Sequence, residues 1–244
     1  MDFSKLRTVL GEENVSQGVR LADYTTFRIG GPADILVRPQ NAEQLQGVID
    51  WCQNLPLPWI LLGKGSNVLA NDEGFHGVVI CPEGDFLAIH TEGYQIHAGC
   101  GVSLARVARE ALDHELTGME FASGIPGSLG GAVYMNAGAY GGEMSQVLSS
   151  IQYLDQTGIH TIGPDEARFD YRNSRFMQEG SLDECRQYVQ APGGIFCRKA
   201  DSGRGALRVY GRRRENLREA LRVCSQYRRC HGTGCAESGA GRTR

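Results

Sequence analysis

Apolar residues at helical spacing predict two helices in the first 120 residues. Asn41 can cap the first, and Gln44 stands three residues later, as in a capping box. The apolar stripe of this helix follows at Leu45, Val48, Ile49 and Cys52. The second helix opens at Ser103, and its apolar face comprises Leu104, Val107, Ala108, Ala111 and Leu112.

Short apolar runs around these helices predict strands. They cover residues 35–37, 59–62, 78–80 and 94–98. Farther on, residues 149–154 and 159–162 flank Asp155-Gln-Thr-Gly158, which predicts a hairpin with its turn at that sequence. Strands that alternate with two helices indicate a small βαβ lobe followed by a larger α+β lobe, so the predicted fold class is α+β.

The densest glycine segment covers residues 122–141 and contains Gly124, Gly127, Gly130, Gly131, Gly138 and Gly141. Glycine permits positive φ and lets backbone N–H groups approach a ligand closely. Converging N–H groups bind phosphate oxygens without a charged side chain. A flexible linker would lack the apolar residues that are interleaved here, which are Ile125, Leu129, Val133 and Met135. We therefore expect a loop that is anchored in a core and binds an anion.

Two further glycine-bearing turns adjoin predicted strands. Gly63-Lys-Gly-Ser-Asn67 leaves the strand at 59–62, and residues 24–34 precede the strand at 35–37. The first of these turns matches neither a Walker loop nor a dinucleotide fingerprint, so by itself it is weak evidence. Three such turns in one chain indicate a single extended ligand that is held along its length.

The composition of the chain changes near residue 180. Residues 181–244 hold 13 Arg and one Lys against six Asp or Glu, a charge of +8, whereas residues 1–180 carry −11, and the two sum to −3. Five of the eight cysteines also lie in this last segment: Cys185, Cys197, Cys224, Cys230 and Cys235. An out-of-frame C-terminus, a divergent domain and a basic binding arm are the three explanations. Residues 217–223 predict a short helix there.

Four motifs stand in order between about residue 20 and residue 178. They are Thr26-Phe-Arg-Ile-Gly-Gly-Pro-Ala33, Gly63-Lys-Gly-Ser-Asn67, Gly124-Ile-Pro-Gly-Ser-Leu-Gly-Gly-Ala132 with Asn136-Ala-Gly-Ala-Tyr140, and Tyr171-Arg-Asn-Ser174. Together they resemble the UDP-N-acetylenolpyruvoylglucosamine reductase family of peptidoglycan synthesis. The resemblance implies an FAD-binding domain of the vanillyl-alcohol oxidase and p-cresol methylhydroxylase type. It also implies FAD as cofactor, NADPH as co-substrate and a UDP-sugar enolpyruvyl ether as substrate.

The resemblance implies cofactor contacts in three stretches. These are Gly63, Lys64, Gly65, Ser66 and Asn67; Gly124, Ile125, Pro126, Gly127, Ser128, Gly130, Gly131 and Ala132; and Asn136, Ala137 and Gly138. Tyr171 and Arg172 would bind substrate, and the planar guanidinium of Arg172 would hold the enolpyruvyl carboxylate and stabilise the charge that builds there.

Simpler alternatives stay open for several of these residues. Ser66 and Asn67 could serve only as turn residues, and Lys64 could be solvated. Arg172 could pair with Asp170 on the surface. Arg28, in the first motif, is expected to form a surface ion pair.

We predict an N-terminal segment at residues 1–20, an FAD-binding domain at 21–180 with two lobes divided near residue 70, and an atypical tail at 181–244. After Phe176 the family's proton-donating Gly-Ser-x-Phe-Lys/Arg motif and its C-terminal glutamate are not recognisable. A C-terminal substrate domain is therefore absent or unrecognisable. We expect an FAD-dependent reductase impaired in this chain or, alternatively, a non-catalytic FAD-binding remnant. The Tyr-Arg-x-Ser motif counts against a third hypothesis, another oxidase with the same flavin domain.

Further expectations follow from what the sequence lacks. No run approaches eighteen apolar residues, and the first residues lack the apolar core of a secretion signal, so we expect a cytoplasmic protein without a membrane span. The net charge of −3 predicts no nucleic-acid partner. The cysteines and histidines do not fall at ligand spacing, which predicts no metal site. We expect a monomer.

Overall fold

The computed structural model describes residues 4–179, apart from 55, 56 and 156, together with the backbone of three short strands between 188 and 199. The first compact unit of the chain runs from Met1 to Ala200. The helix predicted at 217–223 and the tail cysteines lie outside the described residues, as do all other predictions for 201–244.

The small lobe is built on one four-stranded sheet. Its elements are helix α1 (Ser4–Leu10), strands β1 (Val15–Arg20) and β2 (Pro32–Val37), helix α2 (Ala42–Gln53), and strands β3 (Trp59–Leu61) and β4 (Phe75–Ile80). The strand order is β1-β2-β4-β3. β4 runs parallel to both β2 and β3, while β1 is antiparallel to β2. Because β4 belongs to this sheet, the sheet extends to Ile80, beyond the predicted division of the lobes near residue 70.

The predicted first helix is confirmed together with its cap. The side chain of Asn41 accepts a hydrogen bond from the backbone N–H of Gln44 (2.9 Å), and the side-chain oxygen of Gln44 accepts one from the N–H of Gln40 (2.8 Å). The apolar stripe is buried against α1 and one face of the sheet, in a core that includes Leu6, Leu10, Ile35, Val37, Leu45, Val48, Ile49, Cys52, Val78 and Ile80. This packing stabilises the small lobe by removing apolar surface from water.

The large lobe consists of short strands and helices around a second core. In chain order they are β5 (Ile89–Glu92), β6 (Gln95–Ala98), α3 (Leu104–Asp113), β7 (Leu116–Thr117), α4 (Leu129–Tyr134), β8 (Gly138–Ala139), β9 (Gly142–Glu143), β10 (Ile151–Asp155), β11 (Gly158–Ile162) and α5 (Arg175–Glu179). The predicted hairpin is confirmed, since Asp155 pairs with Gly158 at the turn between β10 and β11. Ser103 caps α3, as predicted, by accepting from the N–H of Arg106 (3.3 Å).

Part of the glycine-rich segment forms a helix, whereas the sequence predicted a loop there. Helix α4 includes Gly130 and Gly131, and its Leu129 and Val133 are fully buried. Its start is fastened by the N–H of Leu129, which donates to the Val102 carbonyl (2.8 Å), and by Gly127, whose carbonyl accepts from the Leu104 N–H (3.1 Å). Tertiary burial thus outweighs the low helix propensity of glycine.

Three short strands follow the predicted end of the FAD-binding domain at residue 180. They are β12 (Tyr188–Gln190), β13 (Ile195–Phe196) and β14 (Arg198–Lys199). These strands pair antiparallel with β10, β6 and β7, respectively. The regular backbone of the first compact unit therefore continues into the segment that was predicted as a tail. Among the described residues, no helix has the length and apolar character needed to span a membrane.

Candidate functional site

A cavity of about 890 Å³ lies between the small and large lobes. This volume is within the range of pockets that hold small molecules and cofactors. Five of the predicted cofactor residues line it: Gly63, Lys64, Ser128, Gly130 and Gly131. Tyr24, Thr25, Thr26 and Arg28 also line it, so all three glycine-bearing stretches meet at one cavity.

The turn at residues 63–67 contains unused backbone donors, and its first two residues, Gly63 and Lys64, line the cavity. None of its five N–H groups donates to another described residue. The turn is held in place by the N–H of Thr26, which donates to the Gly65 carbonyl (3.1 Å). Gly65 has φ +59°, and a Cβ atom there would collide with the Tyr24 carbonyl oxygen. Only glycine fits this position, and the fixed turn leaves its donors available for a ligand.

Ser128 supplies a buried hydroxyl beside the same turn. The residue is 6% exposed, and its hydroxyl forms no hydrogen bond with a described residue. A Cβ atom on Gly63 would collide with this hydroxyl, so Gly63 permits the close approach. Leaving a buried polar group unpaired costs about 1–3 kcal/mol. The unpaired hydroxyl and the free N–H groups fit a ligand rich in acceptor oxygens, such as the diphosphate of FAD.

Two cations line the cavity without a carboxylate partner. Arg28 and Lys64 are both exposed, and neither forms an ion pair with a described residue. The predicted surface ion pair of Arg28 is therefore wrong for the part of the chain that the structure describes. Its N–H donates to the Thr25 carbonyl (3.2 Å) in a tight turn with φ +55°, and this turn directs Arg28 to the cavity. The positive charges suit an anionic ligand.

Another part of the cavity wall is neutral. Burial raises the pKa of the Cys81 thiol to about 12, with smaller opposing effects of Arg38, which lowers it, and Glu83, which raises it. Burial also raises the pKa of the Cys100 thiol to about 12. Both thiols are thus protonated at neutral pH. Together with Phe176 they give the cavity an uncharged surface that suits an aromatic ring.

Sequence reasoning did not assign several lining residues to the cofactor. They include Cys81, Pro82, Glu83, Cys100, Gly101 and Phe176, whereas Tyr24, Thr25 and Thr26 belong to the turn at 24–34 that was predicted to help hold the ligand. A signal existed for Cys100, because it stands between Gly99 and Gly101 directly after a strand. Glu83 and Tyr24 are joined by Arg38, which donates to the Tyr24 hydroxyl (2.6 Å) and lies 3.6 Å from the Glu83 carboxylate. Nothing in the local sequence indicated that Arg38 connects these two lining residues.

Other predicted cofactor residues use their side chains within the protein. The Ser66 hydroxyl donates to the Pro126 carbonyl (2.8 Å), and the Asn67 amide donates to the sulfur of Met135 (3.1 Å). These bonds connect the 63–67 turn to the glycine-rich segment at residues 122–141. Ala132 and Ala137 are buried in the core of the large lobe. Cofactor contact at these positions stays a prediction, as it does for Gly124, Ile125 and Gly127.

Arg172 lies in a two-residue turn with Tyr171. Backbone hydrogen bonds of 3.1 Å in both directions between Asp170 and Asn173 close this turn. The Arg172 guanidinium donates to the Gly138 carbonyl at 3.5 Å and forms no ion pair with a described residue. The Asp170 carboxylate instead accepts from the N–H of Tyr171 (2.7 Å), so the alternative surface pair is not formed. The exposed guanidinium keeps its capacity to bind an anion.

Comparisons with known proteins agree with this geometry. The model of a family described as an FAD binding domain matches residues 33–163. A solved UDP-N-acetylenolpyruvylglucosamine reductase from Thermus caldophilus is 30% identical, with a TM-score of 0.63, over 84% of this chain and 67% of that one. The chain belongs to the UDP-N-acetylenolpyruvoylglucosamine reductase family. The resemblance found in the four sequence motifs is thereby confirmed, and FAD is the cofactor of the domain.

Curated relatives carry the same family name. One from Clostridium novyi is 44% identical over 177 residues, which is 72% of this chain and 57% of the relative. Another from Lachnoclostridium phytofermentans is 41% identical over 183 residues and 59% of its length. The chain thus spans less than two thirds of these relatives. A p-cresol methylhydroxylase structure, 16% identical with a TM-score of 0.56, shares the fold, which confirms the predicted fold class.

Proposed function

We propose that this chain is the FAD-binding part of an NADPH-dependent reductase that converts UDP-N-acetylglucosamine enolpyruvate to UDP-N-acetylmuramate in peptidoglycan synthesis. The observation that carries the proposal is Arg172, an exposed guanidinium without a carboxylate partner among the described residues. The family names of the relatives supply the substrate. A monomeric state and a cytoplasmic location, both predicted from the sequence, belong to the same proposal.

The cavity residues would hold FAD by its diphosphate, the charged middle part of the cofactor. The N–H groups of residues 63–67 and the Ser128 hydroxyl would donate to the diphosphate, and Lys64 and Arg28 would balance its two negative charges. The neutral wall at Cys81, Cys100 and Phe176 would exclude water from an aromatic part of the cofactor. Bound FAD would supply the redox chemistry that couples NADPH oxidation to reduction of the enolpyruvyl double bond.

Arg172 would act on the substrate rather than on the cofactor. Its planar fork can bind the enolpyruvyl carboxylate through two parallel hydrogen bonds. When hydride adds to the alkene carbon farther from the carboxylate, the electron pair of the double bond moves to the carbon beside the carboxylate and into the carboxylate itself, and a fixed cation there lowers the barrier. Tyr171 stands beside Arg172 and is 86% exposed, so its ring is available to the same substrate.

We further propose that this 244-residue chain is impaired in the overall reaction. The reduced substrate needs a proton as well as hydride, and a guanidinium does not give up its proton at neutral pH. After Phe176 the sequence contains no recognisable Gly-Ser-x-Phe-Lys/Arg motif that could supply the donor. The same observation supports the second candidate, a remnant that binds FAD and performs no catalysis.

The test uses the full chain loaded with FAD. We expect the enolpyruvyl substrate to perturb the flavin absorption spectrum, and Arg172→Ala to weaken this binding at least tenfold. Substrate-dependent NADPH oxidation should be slow or absent. Turnover like that of a complete relative would overturn the proposed impairment. No spectral change at millimolar substrate, with FAD bound, would overturn the reductase proposal in favour of the remnant.

A further inference from the structure

We infer that Asn136 is a positioning residue that fixes the Arg172 turn against the hairpin formed by β8 and β9. The value of a fixed turn for substrate binding rests on the proposed function of Arg172. The fastening itself is a property of the protein without substrate, and it can be tested separately.

The Asn136 side chain joins three segments of the large lobe. Its amide nitrogen donates to the Asp170 carbonyl (3.1 Å), and its amide oxygen accepts from the Ser145 N–H (3.0 Å). The residue is only 2% exposed. Both ends of the amide are therefore used inside the protein, which gives the side chain a role other than the predicted contact with the cofactor.

A second link joins the same two parts of the chain. The Arg172 guanidinium donates to the carbonyl of Gly138, two residues after Asn136, at 3.5 Å. This bond is long, so the buried amide of Asn136 is the stronger of the two connections. It reaches the backbone of Asp170, the residue at which the Arg172 turn begins.

The linked segments also share an uncommon backbone conformation. Asn136, Tyr140 and Arg172 have φ values of +44°, +54° and +53°, although none of them is glycine. Such residues cost about 1–3 kcal/mol each and persist where the surroundings determine the conformation. Asparagine tolerates this region better than most side chains, so Asn136 can both adopt the turn and supply the amide.

A fixed turn matters because the arginine side chain is long and flexible. A guanidinium contributes most to binding when its backbone is held in a productive position before the substrate arrives. The Asn136 amide holds that backbone from the buried side, which leaves the exposed side of the turn free. Asn136 thus acts on substrate only through Arg172.

The fastening is tested by hydrogen exchange in the full FAD-loaded chain. Asn136→Gly removes the amide but suits the positive φ, and we expect faster exchange in peptides that cover residues 168–175. The control is Asn14→Gly, because the half-buried Asn14 likewise uses both ends of its amide, bridging Leu10 and Gln40 away from the cavity. Unchanged exchange at 168–175 would overturn the inference. If Asn136→Gly does not fold, Asn136→Asp keeps the acceptor and removes only the donor.

The readout for positioning is a double-mutant cycle on substrate binding, followed through the flavin spectrum. Asn136→Gly should weaken substrate binding about tenfold when Arg172 is present. In a protein that already carries Arg172→Ala, it should weaken substrate binding no further. FAD affinity should stay within about threefold of the wild-type value. An equal loss in both backgrounds, or a large loss of FAD affinity, would overturn the positioning role. If the unmodified chain binds no substrate, the proposed function fails, and the exchange experiment alone decides whether Asn136 fastens the turn.

Discussion

The hydroxyl of Ser128 occupies the space that a Cβ atom on Gly63 would fill. Gly63 follows strand β3 of the small lobe, whereas Ser128 directly precedes α4 in the large lobe and makes no side-chain hydrogen bond to the helix. The absent side chain at 63 therefore allows the two lobes to meet at the point where the unused hydrogen-bond donors are concentrated. The Ser128 hydroxyl should therefore matter for cofactor binding but should not stabilise the protein that lacks FAD.

Ser128→Ala should weaken FAD binding without destabilising the protein that lacks FAD. A lost hydrogen bond is worth about 0.5–1.5 kcal/mol, or roughly two- to tenfold in affinity. The buried hydroxyl has no described partner, so its removal should raise the thermal stability of the FAD-free protein and not lower it. The control is Ser174→Ala, since the fully buried Ser174 hydroxyl donates to the Tyr134 carbonyl (2.6 Å) and its loss should cost about 1 kcal/mol of stability. Equal destabilisation by the two substitutions would contradict the prediction.

Gly65→Ala should abolish most FAD binding, whereas Gly93→Ala should not affect it. The two glycines have nearly the same φ, +59° and +57°, so alanine imposes a similar backbone cost of about 1–2 kcal/mol at both. Only at Gly65 would the new Cβ collide with backbone, while nothing lies within 4 Å at Gly93. A flavin titration of both variants checks this. We also predict that FAD binds non-covalently, because the sequence contains no recognisable His or Cys attachment site. Bound FAD should therefore be released on denaturation, and flavin retained on the unfolded chain would contradict this.

Arg172→Lys should weaken substrate binding by about 10- to 100-fold and leave FAD affinity unchanged. An ammonium keeps the charge but cannot form two parallel hydrogen bonds, and one charge-assisted bond is worth about 1.5–3 kcal/mol. The measurement is the same flavin perturbation, with turnover added in any active form of the protein. Arg109→Lys is the control, because Arg109 is exposed and pairs with Asp113 (3.0 Å) on α3. Unchanged binding in Arg172→Lys would reject the carboxylate contact.

The hairpin at Asp155 should lose stability in acid. Burial alone would raise the pKa of Asp155, but hydrogen bonds from Thr157 and His160 outweigh it and lower the pKa below its usual 3.8. The group therefore contributes stability that is fully present above the unfolded pKa and is lost as the pH falls through the folded pKa.

Denaturant unfolding of the wild type and of Asp155→Asn across pH checks this expectation. The difference between them should be largest near neutral pH and shrink below about pH 4. Asp113→Asn, on the exposed face of α3, serves as a control for removing a surface carboxylate. A difference in stability that stayed constant down to pH 2 would show that the charge of Asp155 is not responsible.

Local sequence signals predicted much of the secondary structure. Helix α2 follows from the cap at Asn41 and its apolar stripe, and the β10–β11 hairpin follows from the turn residues that begin at Asp155. Strand β1 was not predicted, because its sequence Val-Ser-Gln-Gly-Val-Arg has only two clearly apolar positions. Its partner β2 holds it in the sheet. Such pairing depends on residues that are distant in sequence, which local patterns do not report.

The same holds for the site, where local sequence patterns indicated individual residues but not the contacts between distant residues. Glycine density and motif order indicated the 63–67 turn, Ser128 and Arg172. The bond from Asn136 to Asp170 spans 34 residues, and the contacts of Arg38 with Tyr24 and Glu83 join three separate segments. No single stretch of sequence carries these contacts, so they had to be observed in the folded structure.

The cavity between the lobes has a consequence for how much folded protein a cell can maintain. Its walls come from residues as far apart as Ala22 and Phe176, so a ligand bound there favours the folded state of both lobes at once. A cofactor that binds only the folded state, at one hundred times its dissociation constant, adds about 2.7 kcal/mol to the free energy of unfolding. The flavin supply of the cell would thereby set the abundance of this protein, through proteolysis of the cofactor-free fraction.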